Sequence, residues 1–362
     1  MSRMERRLWL NKEEISPPKS CFAYPFGAKG LGRNRNHSKT NWVIMKPILS
    51  LYALKGIACL MVVMGHIPSI VRSPLSPILR GVPLFLMISG YLLYTPDGKE
   101  LSKKAMKQLK KICCIILCVH AVYAIYSAVR AYFQPTYIFP IQTWEEFFNW
   151  FFCGIELGHG VLWYLHTYAW TLIFLWALSC RGSVGYIRYL PFLLVANLVL
   201  GRYQFVFPFE ITHFGIRQNC FTVGLPYFAI GYLVHEHESR LLNIPFRRWM
   251  SIMLCCLIAV YAEIVLLTLT GHNNHFADFI FNIPLSITLF AFMVSHPTLQ
   301  ISPWLVSLGR NHSANIYYWH MMIAGICSWI GLYVSSIQVV IVFALSLLLS
   351  VAISAVRKKM DN

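Results

Sequence analysis

The chain of 362 residues is 57% apolar and 12% charged, about half the charged share of an ordinary soluble protein. Its 31 Lys and Arg against 14 Asp and Glu leave a net charge of +17, which reads as basic cytoplasmic loops and not as a nucleic-acid surface, because the apolar residues gather into runs of membrane-spanning length. Eleven cysteines include no CxxC pair and mostly sit inside those runs, which argues against a disulfide framework and a zinc ribbon, and no metal site is expected.

Residues 1–46 carry ten Lys and Arg against three Glu, with no long apolar stretch. They read as a basic disordered tail, or as a leader before a start at Met45; the second is preferred because the first apolar run follows at once. The domain proper is 47–362. Within it, apolar runs predict helices near 48–70, 79–95, 112–132, 160–179, 185–201, 216–234, 249–270, 278–295, 313–333 and 337–356. Trp144, Phe147, Phe148, Trp150, Phe151 and Phe152 in 141–157 read as an interfacial aromatic helix. The cluster His235, Glu236, His237 and Glu238 reads as a solvated polar loop. The expected fold class is therefore all-α, a polytopic membrane bundle of about ten transmembrane helices.

Charge sets the expected orientation. With the N-terminus in the cytoplasm, fifteen Lys and Arg from Lys99 to Lys359 face inward, against Arg72, Arg80, Arg130, Arg202 and Arg217 outside. That satisfies the positive-inside rule and puts both termini in the cytoplasm.

The first helix carries Lys55 and His66, eleven residues apart. At about 100° per residue they project from nearly one face, about 16 Å apart along the axis. An ionisable group in a span costs on the order of 3 kcal/mol unless it meets a polar interior. The pair therefore reads as facing the bundle; snorkelling of Lys55 to the headgroups, with His66 at the far interface, is an equal reading of the spacing.

The run Lys55-Gly56-Ile57-Ala58-Cys59-Leu60-Met61-Val62-Val63-Met64-Gly65-His66 resembles the first helix of the acyltransferase-3 family of membrane O-acyltransferases. Later segments resemble that family in the same order: Val82-Pro83-Leu84-Phe85 with Ser89-Gly90-Tyr91-Leu92, Leu162-Trp163-Tyr164-Leu165, Pro226-Tyr227-Phe228-Ala229-Ile230-Gly231-Tyr232, and Leu308-Gly309 through Tyr317-Tyr318-Trp319-His320. The resemblance covers about residues 48–356. It implies transfer of an acetyl group from acetyl-CoA to a surface glycan or lipid-linked oligosaccharide at a bacterial inner membrane, with no permanently bound cofactor. The family usually has Arg where Lys55 stands, Asp where Tyr52 stands, and His where Val161 stands, with His159 two residues before. Lys keeps the charge but loses the bidentate fork.

On that reading Lys55 helps hold the CoA end and His66 is the general base, with transient acylation of His66 as a variant. Glu263, a carboxylate inside a strongly apolar run, is a candidate to orient His66 or the acceptor, or a neutral group bonded to a neighbouring helix. Arg80 is a candidate for transition-state support or an interfacial anchor, and Trp163 and Tyr164 stack on a sugar or pack the core. Arg217 is a candidate for acceptor binding, and His320 for the same role or a structural one. A glycan transporter or flippase, and a succinyltransferase acting on periplasmic glucan, are the competing functions.

Overall fold

Each of the ten apolar runs carries helix in the computed structural model, which describes residues 48–68, 75–155, 157, 160–208, 213–273, 278–299, 301–334 and 336–361. The basic segment 1–46 with Met45, as well as Arg72 and His159, lie outside the described residues. The elements are α1 (Leu49–His66), α2 (Gly81–Leu93), α3 (Gly98–Phe133), α4 (Trp144–Phe148), α5 (Trp163–Cys180), α6 (Leu194–Leu200), α7 (Phe214–Arg217), α8 (Leu225–Glu236), α9 (Glu238–Leu241), α10 (Phe246–Leu269), α11 (Asn282–Ser295), α12 (Pro303–Ser307), α13 (Ser313–Trp329) and α14 (Gln338–Asp361). No strand occurs among the described residues.

Hydrocarbon offers the backbone no partner, so long apolar segments must bond internally as helix. Five helices among the described residues are long and apolar enough to cross a membrane: α1, α2 with the turn before it, α3, α10 and α14. Apolar side chains cover the outer faces of the last two, including Leu254, Ile258, Leu266, Val340 and Leu348. This is a membrane protein, built around Leu54, Ala58, Leu86, Met87, Tyr168, Phe228, Phe290 and Ile316, all fully buried.

Glycine sets two crossings. A Cβ on Gly56 of α1 would lie 2.5 Å from the Leu305 carbonyl oxygen, and one on Gly309 would lie 2.7 Å from the Gly56 amide nitrogen. α1 therefore meets the α12–α13 junction backbone to backbone, as small residues allow in membranes. The α2–α8 crossing is alike: a Cβ on Gly231 would lie 2.6 Å from the Met87 carbonyl carbon.

Local differences from the expected elements have local causes. Asp97 accepts the Lys99 amide at 2.9 Å, so α3 starts at Gly98 and runs for 36 residues. At about 54 Å it exceeds a hydrocarbon core of about 30 Å, and its lysine-rich first turns extend beyond the span. Over 185–201 the chain is 3₁₀ through Val184–Leu193, which contains Pro191, before it becomes α6. The expected polar loop at 235–238 is instead helical. His235 Nδ1 donates to the Tyr91 carbonyl at 2.8 Å and Glu238 accepts the Tyr91 hydroxyl at 2.9 Å, tying this end of α8 to α2. The aromatic stretch begins with a Thr143–Glu146 capping box and continues from α4 as a π-helical turn, Asn149–Cys153.

Candidate active site

α1 enters the bundle beside α13, and the Gly56–Leu305 crossing brings Lys55 inside instead of to the headgroups. Lys55 is 3% exposed. It lines a small cavity with Phe85 of α2, Ile112 of α3, Tyr164 and Tyr168 of α5, and Ser313 and Tyr317 of α13. Cys59, one turn further along α1, and Lys111 of α3 lie within electrostatic reach of the ammonium.

The far wall is aromatic. Tyr164 and Tyr168 stack with centroids 6.0 Å apart, and Phe85 and Tyr317 meet Tyr164 at 6.1 and 5.4 Å. The Tyr317 hydroxyl donates to the Val161 carbonyl. The Tyr164 hydroxyl is buried beside Ser89, whose own hydroxyl donates to the Phe85 carbonyl at 2.7 Å. By turning from Ser89 it can donate to an oxygen bound in the cavity.

Beyond Tyr317 stand two histidines. The His320 ring lies 6.1 Å from Tyr317 and 5.7 Å from His66. His320 is fully buried and His66 is half-buried. Lys55 thus lines the cavity, while His320 and His66 lie outside its lining and follow from Tyr317 by ring contacts.

The structure takes Glu263 and Arg80 into a second cluster, at the start of α11. Glu263 accepts the Ile280 and Phe281 amides at 2.8 and 3.1 Å and the Tyr203 hydroxyl. Its carboxylate thus caps a helix N-terminus, where a negative charge is favoured. Arg80 pairs with Asp278 at 3.2 Å, and Asp278 also accepts the Tyr227 hydroxyl at 3.0 Å. Arg202 lies over the Phe279 ring at 3.6 Å and bonds Asn273 at 3.2 Å. It stands within electrostatic reach of Arg80, Asp278 and Glu263. Asp278 went unread in the sequence and Arg202 counted only among the outer-side arginines, although each is a rare charge beside an apolar run.

Trp163 is buried and meets Phe214 of α7 edge-on at 6.0 Å; Arg217, buried at the other end of that short helix, shares its environment. A further pair carried no sequence signal. His120 Nδ1 and His166 Nδ1 donate to the Ile116 and Phe151 carbonyls at 2.8 and 2.9 Å, and their Nε2 atoms are 3.4 Å apart. This joins α3, α5 and the turn after α4.

No curated protein and no solved structure matches the chain. A family model described as an acyltransferase domain, of the acyltransferase-3 type, matches residues 48–355. That range takes in α1 to α13, most of α14, the cavity, and His66 with His320. The chain belongs to the acyltransferase-3 family of membrane acyltransferases.

Proposed function

We propose that this protein moves an acetyl group from cytoplasmic acetyl-CoA to a hydroxyl of a cell-surface or lipid-linked polysaccharide across a bacterial inner membrane. It would do so with about ten spans and both termini in the cytoplasm. The cavity lined by Lys55 and Tyr317, with Tyr317 beside His320 and His320 beside His66, carries this reading. The charged nucleotide of the donor cannot cross hydrocarbon, but its slim pantetheine arm suits a narrow apolar slot. Dry aromatic walls would shield the thioester from water and strengthen every polar contact inside. Lys55 places one positive charge at the cytoplasmic end, where it holds the CoA side of the donor.

His66 then takes the proton of the acceptor hydroxyl as its oxygen attacks the thioester carbonyl. The Tyr164 hydroxyl donates to the developing oxyanion. The C–S bond breaks, and the thiolate takes the proton from the His66 imidazolium, leaving ester, CoA and neutral His66. Arg80, Trp163 and Arg217 serve the acceptor side, and Glu263 acts by holding the start of α11. The Lys55–His66 run is similar to that of the enterobacterial common antigen O-acetyltransferase, and this likeness supports acetyl as the acyl group and a lipid-linked glycan as the acceptor. No observation favours a transporter or succinyl transfer.

The test is proton NMR for O-acetyl esters on surface polysaccharide from a deletion strain carrying wild type, His66→Ala or Lys55→Ala. Wild type should restore the ester and His66→Ala should not, with both proteins in the membrane. Lys55→Ala should raise the KM for acetyl-CoA about tenfold, the worth of one charge-assisted contact. Absence of ester in the wild-type strain would defeat the reading.

A further inference from the structure

The contacts of His320 fix which of its ring nitrogens carries the proton. Nδ1 lies 3.0 Å from the Ile316 carbonyl oxygen and 2.9 Å from that of Tyr317. Carbonyl oxygens only accept, so Nδ1 holds the hydrogen and Nε2 presents a bare lone pair. That Nε2 is buried and meets no hydrogen-bond partner among the described residues. A buried acceptor without a donor is a standing cost that a native fold retains for a reason. The neighbouring ring is that of His66, 5.7 Å away between centroids and tilted by 46°. Less two ring radii of about 1.1 Å, the facing edges stand about 3.5 Å apart, just outside a hydrogen bond, and a small turn of the half-buried His66 ring closes that gap.

We propose that His320 is the positioning residue for His66, a role that rests on the acyl-transfer reading above. When the His66 ring turns to it, Nε2 accepts the N–H of one His66 nitrogen, which fixes the His66 tautomer and directs the other nitrogen, as the base, towards the acceptor hydroxyl. When that nitrogen takes the hydroxyl proton, the imidazolium keeps its original N–H on His320. The second proton then leaves to the CoA thiolate. The logic is that of a carboxylate orienting a catalytic histidine, with a neutral acceptor in the carboxylate's place. Glu263, with both carboxylate oxygens engaged at the start of α11, does not fill that place.

Two isosteres separate this role from simple packing. His320→Asn keeps a polar group where Nδ1 meets the backbone and withdraws the acceptor from His66. His320→Gln reaches to the Nε2 position with an amide oxygen. With protein in membranes and labelled acetyl-CoA, His320→Asn should lower kcat by about 30-fold or more, within the worth of an oriented general base. The KM for acetyl-CoA should stay within about twofold, and His320→Gln should recover at least about a third of the wild-type kcat. Equal loss in both variants, or a loss carried by KM, would reduce His320 to a packing residue. Wild-type kcat in His320→Asn alongside an inactive His66→Ala would remove the positioning role and keep the base. An active His66→Ala would instead remove the base itself. Should His320→Asn fail to reach the membrane, His320→Gln decides alone: a kcat below about a tenth of wild type in folded protein overturns the proposal.

Discussion

Replacing Gly56 with alanine adds one methyl group where α1 crosses α12. Its carbon would lie 2.5 Å from the Leu305 carbonyl oxygen and 3.3 Å from the carbonyl carbon, while ordinary contact begins near 3.4 Å. The shortfall is about 0.9 Å, and the opposing atoms are helix backbone, which cannot turn aside as a side chain can. The helices must part by roughly that distance, an overpacking strain of about 1–3 kcal/mol. Lys55 precedes Gly56 and His66 lies three turns on, so both move against Tyr164 and Tyr317. A misplacement near 1 Å costs about 100-fold in turnover. Labelled acetyl transfer in membranes, read beside thermal unfolding of purified protein, should show turnover down about 100-fold and a midpoint lower by a few degrees. Gly65→Ala on the same helix is the control, because among the described residues its Cβ would meet only Leu79, at 3.9 Å. Wild-type turnover in Gly56→Ala, or equal harm from Gly65→Ala, would refute the reasoning.

Glu263→Gln should destabilise the protein by about 1–3 kcal/mol, since its amide turns a donor towards one of the two backbone N–H groups the carboxylate now accepts. Turnover per folded molecule should stay within a few-fold, and an inactive but stable Glu263→Gln would return this carboxylate to the chemistry. The amides of Gln142 and Thr143 and the Thr143 hydroxyl hold the Glu146 carboxyl below its usual 4.5. Its contribution is therefore complete above about pH 4.5 and fades as pH falls through the lower native value. Hydrogen exchange over 142–148 should quicken with acid in wild type beyond its intrinsic rate, and less so in Glu146→Gln; identical profiles would sink this account.

The helices were legible because desolvation leaves an apolar run no other form, and Lys55 with His66 because the helical period puts both on one face. The burial of Lys55 was not, since it depends on Gly56 meeting Leu305, a contact between distant parts of the chain. Glu263 stood out in the sequence as an acid inside an apolar run, and it lies in α10, which is long and apolar enough to span. Its partners Ile280 and Phe281 are backbone groups of another element, and no local pattern announces them. Polarity at His235–Glu238 suggested a loop because composition is blind to Tyr91, which anchors that helix end from α2. The cavity joins residues of five helices, a grouping that no single run announces.

The π-helical turn Leu308–His312 joins α12 and α13 into one bent rod. Such a turn is an α-helix with one surplus residue, and each residue rotates a helix by about 100°. Gly309, within the turn, docks on α1, while Tyr317 and His320 follow it. The angular phase between the docking contact and the aromatic wall is thus set by a single inserted residue. Deleting one residue from the turn would leave every downstream side chain chemically intact and rotate Tyr317 and His320 by about 100° out of the slot.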